Sequence, residues 1–180
     1  MPNHVTNELI FRGLSRWQID TIRSKILNHE SHVDFELLVP LPINIWCGSV
    51  GAKHEKAFRQ NCLDWAKQNW GTKWNAYEQR EVLATDNSLT VCFDTAWSPP
   101  YPWLAAVFNY FKISFEHNWL DEGAELGVHG EFDYPAMEIC SQDPWREIKA
   151  SDEIQKRLHV LKYGEEQIAE EISESFERQR

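Results

Sequence analysis

The chain has 180 residues and a formal net charge of −10, with 42% hydrophobic and 26% charged residues. That length and composition fit one folded domain with a sizeable core and exclude a disordered or low-complexity chain. No stretch approaches the ~20 consecutive apolar residues that span a bilayer, Met1-Pro2-Asn3-His4 has no secretory character, and the expected compartment is the cytoplasm.

Residues 3–11 alternate with period two, Val5, Leu9 and Phe11 against His4, Thr6, Glu8 and Ile10, and predict a strand. Gly13-Leu14 turns the chain into a helix that starts at Ser15, with Gln18 placed for a capping box and Ile19, Ile22 and Ile26 as its buried stripe. Residues 34–39 read as a second strand, with Phe35, Leu37 and Val39 on one face and Pro40-Leu41-Pro42 as its stop. A loop follows, then a helix from His54 to about Asn69 with Phe58, Cys62, Trp65 and Ala66 on one side. Trp74 to Glu81 is a third strand or an extended segment, and Asp86-Asn87-Ser88 is a turn.

Three clearer strands come next, each with one face expected to meet water: Leu89–Asp94, Lys112–Trp119 and Glu125–Tyr134. Between the first two, Pro99, Pro100 and Pro102 suit a helix start, and Leu104, Val107, Phe108 and Phe111 form its core stripe. Asp121-Glu122-Gly123 makes a tight turn. Setting aside an inserted α/β segment at about residues 40–86 leaves two βαβ units and one extra strand. The predicted class is α+β, a ferredoxin-like (split βαβ) mostly antiparallel sheet with helices on one face.

The regular alternation ends after Pro135, which divides the chain into a domain at 1–135 and an acidic helical extension at 136–180. Residues 121–180 carry a net −9, against −1 for residues 1–120. Helices are predicted at 151–162, on Ile154, Leu158 and Leu161, and at 165–177, on Ile168, Ile172 and Phe176. They either dock on their own domain or meet a partner, and a homo-oligomer through them is one possibility.

The chemistry-bearing residue types gather outside any reaction motif. The run Trp70-Gly71-Thr72-Lys73-Trp74-Asn75-Ala76-Tyr77 reads either as a binding platform of rings, an ammonium and amides, or as a plug that fills the core where the inserted segment rejoins the sheet. Trp97, ahead of Ser98-Pro99-Pro100, joins the candidate surface. Asp121 and Glu122 stand at a hairpin tip, as a solvated turn or a weak acid pair. His117 is expected in the core and His129 exposed on a polar face beside Glu131.

Phosphate loops, nucleophile elbows, zinc-type cysteine pairs and dinucleotide fingerprints are all lacking, and Phe58 stands where His54-Glu55 would need a second histidine. The cysteines Cys47, Cys62, Cys92 and Cys140 read as reduced and mostly buried. The sequence therefore predicts neither a metal nor a cofactor. Direct nucleic-acid binding is not expected, because a basic footprint and outward sheet aromatics are both missing.

Met1-Pro2-Asn3-His4-Val5 with Asn7, Val39-Pro40-Leu41-Pro42, Trp70-Gly71-Thr72-Lys73-Trp74-Asn75-Ala76, Phe93 to Pro100 and Asp121-Glu122-Gly123 resemble the YubB-type family of phage- and plasmid-borne bacterial proteins. The resemblance covers residues 1 to about 135. It implies a ferredoxin-like fold and a mobile-element setting, and brings no catalytic residues with it.

Three functional expectations follow. The first is a non-catalytic accessory protein that binds another protein through the Trp70–Tyr77 and Trp97 region or the acidic tail. The second is an enzyme with an acid–base site built from Asp94, Asp121, Glu122 and His129. The third is an acidic mimic of DNA using the C-terminal carboxylates.

Overall fold

The strand at the N-terminus becomes the middle of the sheet. In the computed structural model, which describes residues 3–48, 51–58, 61–124, 126–132 and 145–164, β1 (His4–Arg12) pairs antiparallel with both β3 (Ser88–Ala96) and β4 (Phe115–Asp121). The strand β2 (Tyr77–Ala84) adds outside β3, while β5 (Val128–Phe132) and β6 (Trp145–Lys149) add outside β4. The resulting order is β2-β3-β1-β4-β5-β6, antiparallel at every pairing.

Two crossovers build the inner four strands. Helix α1 (Arg16–Ile26) carries the chain from β1 toward β2, and α4 (Tyr101–Phe111) carries it from β3 to β4. Each crossover skips one strand, which is the split βαβ plan of a ferredoxin-like fold. Ser15 and Gln18 cap α1 reciprocally, as their spacing predicts. Both helices lie on one face of the sheet, where Ile19, Ile22, Ile26, Leu104, Val107 and Phe108 meet Leu9, Phe11, Leu89, Val91 and Phe93. Each such side chain contributes roughly 1.5–3 kcal/mol on burial.

The second strand of the first split unit is Tyr77–Ala84, within the span that the sequence pattern gave to the insertion. The segment 34–39 is not a strand. Phe35–Leu37 form a 3-10 turn, because the Asp34 carboxylate accepts the Glu36 amide at 3.0 Å and the Asn75 carbonyl oxygen takes the Phe35 amide at 2.9 Å. Phe35 then drops into the core against Trp103, with ring centroids 4.5 Å apart.

The helix expected from His54 to Asn69 is two short ones, α2 (Ala52–Ala57) and α3 (Cys62–Asn69). Asn61 starts the second by accepting the Asp64 amide at 3.0 Å. Phe58 leaves the helical stripe and stacks on Trp46, with ring centroids 4.7 Å apart.

Beyond β5 the chain adds β6, which the sequence pattern missed, and then α5 (Asp152–Tyr163). This helix packs over the sheet face opposite α1 and α4. Gly127 permits the close approach: a Cβ there would stand 2.6 Å from Leu158 Cδ1. The parts of the sequence reading at Glu125, Asp133, Tyr134, Cys140 and 165–177 lie outside the described residues. No helix among the described residues is long and apolar enough to cross a membrane.

Candidate functional site

The tryptophan-rich block divides between core and surface. Trp70 ends α3 and is buried, its indole N–H donating to the Val39 carbonyl at 2.9 Å and its ring packed edge-on against Phe35 and Trp65. Asn75 is also structural. Its oxygen accepts the amides of Phe35 and Ala76, and its amide donates to Asp34 at 2.8 Å. Those two residues follow the plug reading.

Lys73, Trp74 and Trp97 form a different object. The Lys73 ammonium lies 4.5 Å from the Trp74 ring centroid and 4.6 Å from that of Trp97. Lys67, reaching from α3, stands 5.3 Å from the Trp97 ring. Trp74 is 38% exposed and Trp97 47% exposed, so the stack is open to solvent. Cations on tryptophan faces contribute about 0.5–1 kcal/mol each at exposed sites.

The backbone beneath the stack is fixed. Trp97 sits at φ +76°, a left-handed conformation costly for a bulky side chain. Its amide donates to the Asn3 carbonyl at 2.9 Å. Gly71, at φ +85°, has no room for a side chain: a Cβ would stand 2.4 Å from Pro102 Cδ. Thr95 Oγ1 donates to the Ser98 carbonyl at 2.8 Å, tying the loop after β3 to its strand.

Tyr77 borders this platform, packed edge-on to Trp74 with centroids 6.3 Å apart. Its hydroxyl meets His4 Nδ1 at 2.8 Å and the Thr95 carbonyl at 3.1 Å. Burial, with the charges of Asp94, Glu122 and Glu78, pushes its pKa up to about 12. Asp121 and Glu122 close the same end of the sheet. Asp121 accepts the Gly123 amide at 2.7 Å and is spanned by Asn3 at 3.4 Å, whereas Glu122 is exposed.

The opposite sheet face carries a buried polar network. Arg157 from α5 donates to both oxygens of Glu8, at 2.7 and 2.8 Å, and Asn118 donates to Glu8 at 2.7 Å. The Asn118 oxygen meets His129 Nδ1 at 2.6 Å, and His129 Nε2 meets Glu131 at 3.3 Å. His129 is buried rather than exposed, its two ring nitrogens held by Asn118 on β4 and Glu131 on its own strand. Beside this network Arg80 pairs with Asp94 at 2.7 and 3.0 Å and donates to the Leu161 and Lys162 carbonyls at the end of α5. Burial lowers the Arg157 pKa, but the hydrogen bond and charge of Glu8 outweigh it, so the net direction is upward.

The postulated acid–base set is not assembled. Asp94 is consumed by Arg80, Asp121 by its own turn, and His129 by Asn118 and Glu131. Asp94 on β3 and His129 on β5 are separated by β1 and β4, roughly 14 Å at ordinary strand spacing. His117 sits in the core as expected, its Nε2 3.0 Å from Asn7 Oδ1, and burial followed by the charge of His129 lowers its pKa to about 3. A cleft of about 370 Å³ opens beside Arg12, Glu116 and Glu131, away from the tryptophans. Among the described residues no cluster of histidine, cysteine and carboxylate groups is arranged to hold a metal ion. Cys47, Cys62 and Cys92 form no disulfide among those residues. Most of the carboxylates that a DNA mimic would use lie outside the described residues.

Lys67 is the platform residue that sequence reasoning missed, because it approaches Trp97 only through the packing of α3 beside α4.

No curated protein and no solved structure matches the chain significantly. A family model, described as the ferredoxin-like domain in Api92-like protein, matches residues 69–164. That span runs from the end of α3 to the end of α5 and includes Lys73, Trp74 and Trp97. It omits β1, the strand around which the sheet closes. With a sheet of the matching plan and just over half of its length in the match, the chain belongs to this ferredoxin-like family of Api92-like proteins.

Proposed function

We propose that the protein is a non-catalytic accessory factor of a mobile genetic element that works by binding another protein, and that Lys67, Lys73, Trp74 and Trp97 form the binding surface. The observation that carries this reading is the Lys73 ammonium held between two half-exposed tryptophan rings, one of them on a left-handed backbone. Rigid aromatic anchors with a cation between them lose little entropy on binding and suit a partner segment that offers aromatic or acidic side chains. The mobile-element setting rests on the resemblance of residues 1–135 to the YubB-type family. A cytoplasmic location accords with the unpaired thiols of Cys47 and Cys62.

The test is affinity capture from the native host with three full-length baits: wild type, Trp74→Ala/Trp97→Ala, and Trp17→Ala. Trp17 is 74% exposed on α1 and serves as the control ring. A partner held by wild type and Trp17→Ala but absent from the double variant supports the reading. Identical protein sets on all three baits would remove it.

A further inference from the structure

Several cations of this domain direct their N–H donors at oxygen. Arg12, Arg80 and Arg157 pair with Glu116, Asp94 and Glu8, and Lys162 donates to the carbonyls of His4 and Leu120. Lys67 and Lys73 do not. Among the described residues neither ammonium meets a carboxylate or a carbonyl. Each rests instead on indole, Lys73 between Trp74 and Trp97 and Lys67 on Trp97 alone. A ring face attracts the charge but leaves the three N–H donors of an ammonium without an oxygen, so water or a ligand must supply it.

The same contacts set a spacing. The two ammonium groups lie 5.3 and 4.6 Å from the centroid of one ring, that of Trp97, so they are at most about 9.9 Å apart, the two distances laid end to end. Trp97 is held by its left-handed backbone and its bond to the Asn3 carbonyl, and Lys67 projects from α3, so the pair stands on fixed elements. Two carboxylates on alternate residues of an extended chain point the same way and lie roughly 6.5 Å apart, within that limit. Lys73 already covers one face of Trp74 and one of Trp97, so what the platform leaves unsatisfied is N–H donors more than aromatic surface. The net charge of −10 also opposes a strand of phosphates more than a short segment with two acids.

We propose that the partner docks an acidic segment on this platform, with carboxylates on two alternate residues bound by Lys67 and Lys73. This rests on the reading of the platform as the binding surface. It narrows the partner from aromatic or acidic side chains to acidic ones. The rings of Trp74 and Trp97 then act as supports that hold the two ammonium groups in place before the partner arrives, which lowers the ordering cost of binding.

Titration of the full-length protein with synthetic probes, followed on the indole N–H signals of Trp74 and Trp97, tests it. The probes are a peptide with glutamates on two alternate residues, its glutamine counterpart, a peptide with the two glutamates adjacent, and a thymidine oligonucleotide. The first peptide is expected to shift both signals and the glutamine peptide neither. Adjacent glutamates point to opposite sides of an extended chain, so that peptide binds about two- to fivefold more weakly. Lys67→Ala and Lys73→Ala each weaken the first peptide by about two- to fivefold, and added salt weakens it further. Lys25→Ala, which removes a lysine resting on the Tyr110 ring, leaves its affinity unchanged. Equal shifts from the glutamine peptide, or unchanged affinity in both platform variants, overturn the acidic segment and leave the platform standing. Shifts from the oligonucleotide alone overturn it in favour of a single-stranded nucleic acid. Shifts from none of the probes also overturn it, and capture with the Trp74→Ala/Trp97→Ala bait then decides separately whether the platform binds a partner at all.

Discussion

Arg157 of α5 grips both carboxylate oxygens of Glu8 in the central strand, at 2.7 and 2.8 Å across 149 positions of sequence. This contact joins the last described helix to the first strand, and Asn118 completes the carboxylate's partners. It works beside two other polar fastenings of α5, Lys162 on the His4 carbonyl and Arg80 on the Leu161 and Lys162 carbonyls, and Leu158 is the one fully buried side chain of that helix.

Arg157→Met strands a buried carboxylate. The expected loss is roughly 2–4 kcal/mol, below the 3–5 typical of a fully buried pair because Arg157 stays partly exposed. Urea unfolding measures it. Adding Glu8→Gln should recover part of the loss, since no charge is then left unpaired. A double variant no more stable than Arg157→Met would contradict this account.

Stability should fall in mild acid through His117. Its folded pKa, near 3, lies below the ordinary 6.5, so between those values the unfolded chain takes up a proton that the folded chain refuses. Stability from this group is therefore complete above pH ~6.5 and declines by up to about 1.4 kcal/mol per pH unit below it. Unfolding curves from pH 7.5 to 4.5 for wild type and His117→Gln should differ in slope by about one proton. Parallel curves would place the acid sensitivity elsewhere.

Trp97→Gly separates stability from binding. Glycine relieves the left-handed backbone at φ +76° while the two cation contacts are lost, so the net change in stability should stay within about 1 kcal/mol. Partner capture should vanish all the same. A fall of several kcal/mol would show that the ring serves the core.

Gly71→Ala should be costly without touching a ring. The methyl would stand 2.4 Å from Pro102 Cδ and 3.1 Å from the Tyr101 amide, on a backbone at φ +85°. A loss of about 2–4 kcal/mol is expected from strain and displacement of the start of α4. Thermal unfolding, with the Trp97 indole signal as a local probe, reads both effects.

The fold class was legible where one period ruled one element. Leu89, Val91 and Phe93 announce β3, and Leu104, Val107 and Phe108 announce α4, because each pattern answers to a single apolar face. Phe35 and Leu37 mimic the same alternation, yet the conformation there is decided by Asn75, forty residues away. Cys62, Trp65 and Ala66 continue a helical period begun before Asn61, and only the Asn61 cap reveals the break. Alternation assigns His129 to the polar face of β5, yet the ring is enclosed there by Asn118, a residue of the neighbouring strand that no local pattern connects to it. Trp70 and Trp74 look alike four residues apart; which one enters the core is set by Phe35 and Trp65, residues that no periodicity connects.

Placing β1 between β3 and β4 has a consequence for synthesis. The ribosome delivers Val5, Leu9 and Phe11 long before the strands that flank them, which begin at Ser88 and Phe115, and the arginine that neutralises Glu8 comes later still. At ~5–20 residues per second the nascent strand waits roughly 7–30 s for its last partner. Until β3 emerges, in the earlier part of that interval, β1 has no strand to pair with and its apolar side chains are open to other contacts. Prematurely terminated products that lack α5 would leave Glu8 without its arginine and the sheet face beneath that helix uncovered, a ready mark for proteolytic disposal.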